Sequence, residues 1–121
     1  MDILTEGCEK LGIHLTEKQE QQFKDYYDLL LEWNSRMNLT SITEYKDVMR
    51  KHFLDSLCIV QVSGAELMDL TGVEKMIDVG TGAGFPGIPL KIIYPHIELV
   101  LLDSLQKRIR FLDALAEKLG L

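Results

Sequence analysis

A glycine-rich turn is the segment of this sequence with the clearest potential for chemistry. Gly80, Gly82 and Gly84 alternate directly after a short apolar segment, and Asp103 lies 21 residues beyond Gly82. Because glycine has no Cβ, such a turn lets the backbone approach a ligand, and the helix behind it offers free N–H groups and a partial positive charge. An acid at the end of the next strand can bind the two hydroxyls of a ribose. These features together predict a pocket for a nucleoside-containing cofactor.

Two cofactor classes are compatible with this turn. Residues 82–87 match the G-x-G-x-x-G fingerprint of dinucleotide-binding proteins, in which the acid follows about 20 residues later. The competing pattern is Asp78 followed by alternating glycines, which resembles motif I of methyltransferases that use S-adenosylmethionine. Asp78 favours the second pattern, because a carboxylate suits an ammonium group and would oppose a pyrophosphate. Phe85 and Pro86 also place bulk where a pyrophosphate would need open helix amides. A tight turn without a ligand is the third interpretation.

The elements around the turn predict an α/β fold with a helical N-terminal cap. Residues 1–70 carry helical periodicity, and residues 71–121 predict a β-α-β-α unit with strands at 75–79 and 97–102 and helices at 88–93 and 105–119. The second strand is almost continuously apolar, so we expect it to be buried on both faces of a parallel sheet. Two strands make a poor sheet. The chain is therefore interpreted as the front part of a larger α/β protein, or as one that completes its sheet with a partner.

Three helices are predicted in the cap. The first spans about residues 3–11 and ends at Gly12. Thr16 and Gln19 form a capping box at the start of the second, which carries an apolar stripe as far as Met37. Residues 38–41 predict a turn, because Asn, Ser and Thr side chains compete for backbone hydrogen bonds, and Thr43 is expected to cap the third helix. The aromatic members of the stripe are assigned to the core by their spacing: Phe23, Tyr26, Tyr27 and Trp33.

Composition excludes several classes of protein. The 121 residues are 46% hydrophobic and 26% charged, which is typical of a soluble globular protein. No apolar run approaches the ~20 residues of a membrane helix, and the acidic N-terminus does not match a secretory signal. Cys8 and Cys58 lack metal-ligand spacing. We therefore expect a cytoplasmic protein with no membrane partner and no metal.

The charge distribution limits how the chain could contact nucleic acid. The net charge of −6 lies entirely in residues 1–70, because residues 71–121 carry acids and bases in equal number. A protein that grips nucleic acid with its whole surface would be basic, so only a local patch is expected to make such contacts. Taken alone, the basic residues that could form the patch are more simply ordinary surface charge: Arg50, Lys51, Lys107, Arg108 and Arg110.

Four motifs occur in order along the chain: NLTSI at 38–42, KHFLDSL at 51–57, IDVGTGAGFPGIPL at 77–90, and LDS at 102–104 with Lys107 and Arg108. Together they resemble the motifs of the GidB family, the ribosomal RNA small subunit methyltransferase G proteins. The resemblance covers essentially the whole chain. It implies the start of a Rossmann-like S-adenosylmethionine methyltransferase that modifies N7 of a guanosine in bacterial 16S rRNA, with that RNA or the small ribosomal subunit as partner. Because such enzymes are roughly twice as long, the chain is expected to be truncated and to lack the half needed for turnover.

The resemblance also assigns roles to individual residues. Asp78 would position the loop, and Asp103 would take the ribose hydroxyls with Ser104 beside it. The residues assigned to the cofactor are Asp78, Gly80, Thr81, Gly82, Gly84, Phe85, Asp103 and Ser104. A weaker assignment to RNA covers Arg50, Lys51, Lys107 and Arg108.

No catalytic residue is predicted. N7 of guanine has a lone pair outside the aromatic sextet, so methyl transfer to it needs alignment of the reacting atoms rather than a general base. His52 and Asp55 could reach the cofactor cleft, but a structural pair that holds this helix against the loop is favoured. Two other functions stay open: a non-catalytic RNA- or ribosome-binding fragment, and a nicotinamide- or flavin-dependent oxidoreductase that uses the same glycine loop.

Overall fold

The computed structural model describes residues 2–58 and 72–121. The first range contains α1 (Ile3–Lys10), α2 (Glu17–Asn34), α3 (Tyr45–Asp47), a π-helix (Val48–Leu54) that continues α3, and α4 (Asp55–Leu57). The second contains β1 (Lys75–Val79), α5 (Gly87–Ile93), β2 (Glu98–Leu102) and α6 (Gln106–Leu119). This order agrees with the predicted helical cap followed by a β-α-β-α unit. The predicted boundary between residues 70 and 71 lies outside the described residues.

Helix α2 begins where the sequence predicts and ends earlier. The capping box is confirmed, because the Gln19 N–H donates to Thr16 Oγ1 and the Thr16 N–H donates to Gln19 Oε1. The helix ends at Asn34 rather than near Met37. The Asn34 side chain accounts for the difference, since its Oδ1 accepts hydrogen bonds from the N–H groups of Leu39 and Thr40 at 2.7 and 2.9 Å and so turns the chain.

The third helical segment differs from the prediction in its start and its winding. Thr43 does not cap it: the segment begins at Tyr45 after Glu44, and the Thr43 carbonyl accepts a hydrogen bond from the Tyr27 hydroxyl. Its centre is a seven-residue π-helix, a rare form in which hydrogen bonds join residues five apart. The predicted apolar face is nevertheless buried, because Val48, Met49 and Phe53 all lie in the core.

Within residues 2–58 and 72–121, the sheet consists of two parallel strands with a helix on one face. Lys75 lies opposite Glu98 and Val79 opposite Leu102, and α5 connects the strands and packs against both. The other face is exposed: Ile77 is 56% and Val79 76% accessible to solvent. Leu102 of β2 is also exposed, so the expectation that the second strand is buried on both faces is wrong for this face. The physical reason is that the described part of the chain supplies helical cover to the opposite face only.

One hydrophobic core joins the cap to the β-α-β-α unit. Helix α2 lies at its centre and packs against α5 and α6. Its polar side chains also cap both helices, since Gln19 Nε2 donates to the Ile92 carbonyl and Gln22 Nε2 to the Leu119 carbonyl. Helices end with unpaired carbonyls, so these bonds satisfy acceptors that would otherwise be unpaired. The largest fully buried side chains come from both segments: Phe23, Tyr26, Leu30, Met49, Phe53, Leu57, Leu90, Ile92, Ile97, Phe111 and Leu115.

Candidate functional site

The glycine loop, residues 80–86, leaves the carboxyl end of β1 and leads into α5. Its start is fixed to the neighbouring strand, because the N–H groups of Gly80 and Thr81 both donate to the Leu102 carbonyl. Gly80 and Gly82 have φ angles of +70° and +60°, which side chains rarely adopt. A Cβ built on either glycine meets no atom within 4 Å. The backbone at these two positions therefore faces open space.

A cleft of about 310 Å³ adjoins Gly80 at the end of the sheet. This sheet-end cleft is lined by Val79, Gly80, Leu101, Leu102, Asp103, Ser104 and Ile109. Ligands of open α/β sheets bind outside the carboxyl ends of the strands, which is the position of this cleft. A larger cleft of about 610 Å³ lies among α1, α2 and α3, but no residue of the glycine loop lines it.

Asp103 ties the glycine loop to the end of β2. Its Oδ2 accepts a hydrogen bond from the Gly82 N–H at 2.9 Å, and its Oδ1 accepts one from the Leu105 N–H at 3.0 Å. The side chain is only 1% accessible, and Arg108 Nη1 lies 3.5 Å from Oδ1. The Leu105 N–H, followed by the Gly82 N–H and the Arg108 charge, holds the pKa of Asp103 below its ordinary value against the opposing effect of burial. Asp103 is therefore an ionised carboxylate that spans the floor of the loop.

Asp78, near the carboxyl end of β1, also supports the loop. Its Oδ2 accepts hydrogen bonds from the Thr81 hydroxyl at 2.7 Å and from the Gly87 N–H at 3.0 Å. The same oxygen lies 2.9 Å from the position of a Cβ on Gly87, so the start of α5 approaches β1 more closely than an alanine would permit. Thr81 is buried, and its side chain is directed to Asp78. One carboxylate thus fixes both ends of the loop.

The distal part of the loop packs against the cap. Gly84 has a φ of +99°, and a Cβ there would lie 2.6 Å from Tyr26 Oη and 2.9 Å from Ile88 Cγ1. The Phe85 ring lies nearly parallel to that of Tyr26 at 5.5 Å and to that of His52 at 4.3 Å. The residues assigned to the cofactor therefore fall into two groups. Gly80, Asp103 and Ser104 line the sheet-end cleft, and Gly82 faces open space. Asp78, Thr81, Gly84 and Phe85 are instead held by packing or hydrogen bonds within the protein.

His52 and Asp55 have different surroundings in the structure. His52 lies against the loop through Phe85 and shares a 2.8 Å hydrogen bond between its Nε2 and Thr40 Oγ1. Burial lowers the pKa of His52, and the nearby Asp55 charge opposes that effect only in part. The Asp55 residue is exposed. His52 therefore holds its helix against the loop as the favoured interpretation expected, and it does so by stacking rather than through Asp55.

Tyr26 is the loop contact that sequence reasoning missed. Its helical spacing assigns it to the core, where it is fully buried, but its hydroxyl also donates a 2.6 Å hydrogen bond to the Ala83 carbonyl. A tyrosine rather than a phenylalanine on a buried stripe was the available signal, because a buried hydroxyl usually has a partner. Its partner, 57 residues away in sequence, could not be found from the spacing alone.

Comparison with known proteins identifies the family to which the chain belongs. The family model for GidB, described as rRNA small subunit methyltransferase G, matches residues 19–121. The chain belongs to the GidB family. This is a family of methyltransferases rather than of oxidoreductases, so membership implies a methyl-donor cofactor.

Individual GidB relatives support the same conclusion. The ribosomal RNA small subunit methyltransferase G of Alkaliphilus metalliredigens is 55% identical over 119 residues, which are 98% of this chain and 48% of that protein. The protein of the same name from Alkaliphilus oremlandii is 60% identical over 112 residues, 93% of this chain and 45% of the relative. That of Dehalococcoides mccartyi is 53% identical over all 121 residues and 49% of the relative. The chain thus spans about half the length of the curated relatives it matches.

The basic residues of this GidB chain occupy different environments. Arg50 and Lys51 are exposed on the π-helix, and Lys107 is exposed on the first turn of α6. Arg108 is partly buried beside Asp103, so its charge is shared with that carboxylate. Within residues 2–58 and 72–121, no three His, Cys, Asp or Glu side chains are grouped as a metal site requires. None of the helices in the same ranges is long and apolar enough to cross a bilayer.

Proposed function

We propose that this chain forms the cofactor-binding part of a methyltransferase that transfers a methyl group from S-adenosylmethionine to N7 of a guanosine in 16S rRNA. Family membership supports methyl transfer and an rRNA substrate, and the motifs from Asn38 to Arg108 support the finer assignment. The observation that carries the cofactor assignment is the positive φ of Gly80 and Gly82, with open space in front of both, and the position of Gly80 in the lining of the sheet-end cleft.

The residues around this cleft fit a nucleoside cofactor. A Cβ built on Gly80 or Gly82 meets no atom within 4 Å beyond its neighbours in the chain, so a ligand can approach the backbone closely there. Asp103 and Ser104 line the cleft, and a carboxylate and a hydroxyl are groups that pair with ribose hydroxyls. The Asp103 carboxylate is only 1% accessible while it binds the Gly82 and Leu105 N–H groups, so it would have to turn toward the cleft to reach a ribose. Leu101, Leu102 and Ile109 give it an apolar wall. A mixture of apolar wall and few polar groups is typical of small-molecule sites.

Each part of the loop would have a separate role in binding. When bound, S-adenosylmethionine would supply an activated methyl group to N7 of guanine, a nitrogen that needs no general base. Asp103 would hold the ribose end, and Gly80 and Gly82 would let the backbone follow the ligand. Asp78 would keep the loop in one conformation through Thr81 and Gly87. Fixing the reacting groups in this way contributes to rate by alignment. We place the chain in the bacterial cytoplasm, where its proposed substrate is made.

Calorimetric titration of the 121-residue chain with S-adenosylhomocysteine, with NAD as a control ligand, tests the cofactor assignment. We expect binding of the first and none of the second. Gly82→Asp should abolish binding, because the side chain would enter the space in front of the loop and the carboxylate would repel Asp103. Gly72→Asp is the matched control, since a Cβ at Gly72 also meets no atom within 4 Å. Binding of NAD in place of S-adenosylhomocysteine would overturn the proposal.

A second assay separates an enzyme from a binding fragment. The chain is incubated with labelled S-adenosylmethionine and 16S rRNA, and N7-methylguanosine is measured by mass spectrometry after digestion. Methyl transfer would show that the chain is sufficient for the reaction. Retained binding of RNA and S-adenosylhomocysteine without transfer favours the second candidate, a non-catalytic binding fragment, which is supported by the coverage of only 44–49% of its relatives.

A further inference from the structure

The contact between His52 and Phe85 joins the π-helix to the glycine loop. The two rings are 4.3 Å apart and inclined by 11°, which is a stacked pair. Phe85 is the last residue of the loop before Pro86 and α5. Its N–H and that of Gly84 both donate to the Thr81 carbonyl, at 3.2 and 3.0 Å. A side chain that fixes Phe85 therefore also fixes the turn that follows Gly82.

The His52 ring is itself held in place from the cap. Its Nε2 shares a hydrogen bond with Thr40 Oγ1, and the Thr40 N–H donates to Asn34 Oδ1. Asn34 is the last residue of α2. Asn34 at the end of α2 thus holds Thr40, and Thr40 orients the His52 ring. The plane of that ring in turn limits where the stacked Phe85 ring can lie. Because Thr40 holds one edge of the His52 ring, this ring restrains Phe85 more than a freely rotating ring would.

The π-helix brings two neighbouring residues onto the same loop side chain. Phe53 lies 5.9 Å from Phe85 and 4.8 Å from Tyr26, directly after His52 in sequence. A π-turn is wider than an α-turn, so consecutive side chains lie closer together around the helix axis. Adjacent residues of an ordinary α-helix diverge more strongly from a common target. The π-helix therefore lies where two consecutive residues, His52 and Phe53, both contact Phe85 of the glycine loop.

We propose that His52 is a positioning residue for the glycine loop, and that its stack on Phe85, anchored by Thr40, sets the conformation in which Gly80 and Gly82 face open space. The identity of the ligand used in the binding test rests on the proposed function. The role of His52 in holding the loop does not depend on it. The His52 ring contacts Thr40 and Phe85, neither of which lines the sheet-end cleft, so its effect on binding would be transmitted through the backbone of residues 82–85.

The test compares His52→Ala with His52→Phe in the 121-residue chain. Hydrogen exchange is measured at the Gly84 and Phe85 amides, with the Leu30 amide in α2 as an internal reference, and the Kd for S-adenosylhomocysteine is measured by calorimetry. We expect His52→Ala to speed exchange at both loop amides and to raise the Kd, each by about three- to tenfold. Exchange at Leu30 should change by less than about twofold. His52→Phe keeps the stack but loses the hydrogen bond to Thr40, so its loop exchange and its Kd should lie between those of the wild type and of His52→Ala, with exchange at Leu30 unchanged.

Thr40 provides an independent pair of variants should His52→Ala fail to fold. Thr40→Val keeps the shape but removes the hydroxyl from Nε2, and Thr40→Ser keeps the hydroxyl. Faster loop exchange in the valine variant alone supports the inference. Equal exchange in both, or a rise at Leu30 that matches the rise in the loop, would overturn it, as would a His52→Phe variant that behaves like His52→Ala. Should the wild-type chain bind no S-adenosylhomocysteine, the proposed cofactor fails while the exchange data still decide the role of His52.

Discussion

The hydroxyl of Tyr26 donates a 2.6 Å hydrogen bond to the carbonyl of Ala83 and so joins the middle of α2 to the centre of the glycine loop. Both residues are buried, and burial raises the pKa of the Tyr26 phenol well above its ordinary value. The cap is therefore part of the structure that shapes the candidate site, and substitutions on either side of this boundary should affect the loop.

Tyr26→Phe should lower the free energy of unfolding by about 1–3 kcal/mol. The substitution keeps the ring but leaves the buried Ala83 carbonyl without its donor, and an unpaired buried acceptor carries a desolvation cost of that size. Urea denaturation measures the change. Tyr27→Phe is the matched control, because the Tyr27 hydroxyl bonds to the Thr43 carbonyl at an exposed position and water can replace it. Equal destabilisation of the two variants would contradict the importance of the Ala83 hydrogen bond.

Gly84→Ala should destabilise the chain more than Gly82→Ala. Both glycines have positive φ, but a Cβ on Gly84 would lie 2.6 Å from Tyr26 Oη, whereas one on Gly82 meets no atom within 4 Å. Backbone strain alone costs about 1–2 kcal/mol, and crowding adds about 1–3 kcal/mol at Gly84. Thermal and urea unfolding of the two alanine variants measure the difference. A smaller destabilisation by Gly84→Ala would show that the loop can move away from Tyr26.

Asp103 should contribute stability that is lost in acid. Its pKa in the folded chain lies below the ordinary value of 3.8, mainly because the Leu105 N–H stabilises the carboxylate. A depressed carboxylate pKa adds stability that is fully present above the unfolded pKa and disappears as the pH falls through the folded pKa. The gap in unfolding free energy between wild type and Asp103→Asn should therefore narrow as the pH falls below about 4.

Urea denaturation at a series of pH values tests this dependence. Asp113→Asn, on the exposed side of α6, controls for the removal of one negative charge from the same helical region. If the difference in unfolding free energy between wild type and Asp103→Asn stayed constant down to the lowest pH at which both chains fold, the role given to the Asp103 hydrogen bonds would be contradicted.

The exposed basic residues of the π-helix should contribute more to RNA binding than Arg108 does. Removing one cationic side chain that binds a phosphate reduces the slope of log K against log salt by about 0.7–0.9. Replacing Arg50 and Lys51 by glutamine should therefore reduce the slope by about 1.4–1.8 in filter binding to 16S rRNA. Arg108→Gln should have a smaller effect, because its charge is already shared with Asp103. A larger effect at Arg108 would place the RNA at α6.

Local features of the chain were predictable from the sequence because the groups that determine them lie within a few residues of each other. The Thr16–Gln19 capping box and the strand from Lys75 to Val79 occur as predicted. Helix α6 ends beside Gly120, whose φ of +71° is the left-handed conformation typical of a helix C-terminus. Motif order also identified the family, which the family comparison confirms.

The arrangement of the predicted site residues depends on tertiary packing. The resemblance assigned Gly80, Gly82, Gly84 and Phe85 to the same cofactor. In the structure Gly80 and Gly82 face open space, whereas Gly84 and Phe85 pack against Tyr26 and His52. The sequence also could not indicate the early end of α2 or the π-helix, because apolar spacing alone does not distinguish an α-turn from a π-turn in so short a segment.

The physical reason is the separation in sequence of the groups that make these contacts. Tyr26 meets Ala83 across 57 residues, and Gly82 meets Asp103 across 21. A periodic pattern reports which side of a helix or strand is buried, and a glycine motif reports that a backbone turns sharply. Neither reports which neighbour lies on each side of the turn. In the folded chain α2 and the π-helix pack beneath the glycine loop and leave its start open to the sheet-end cleft.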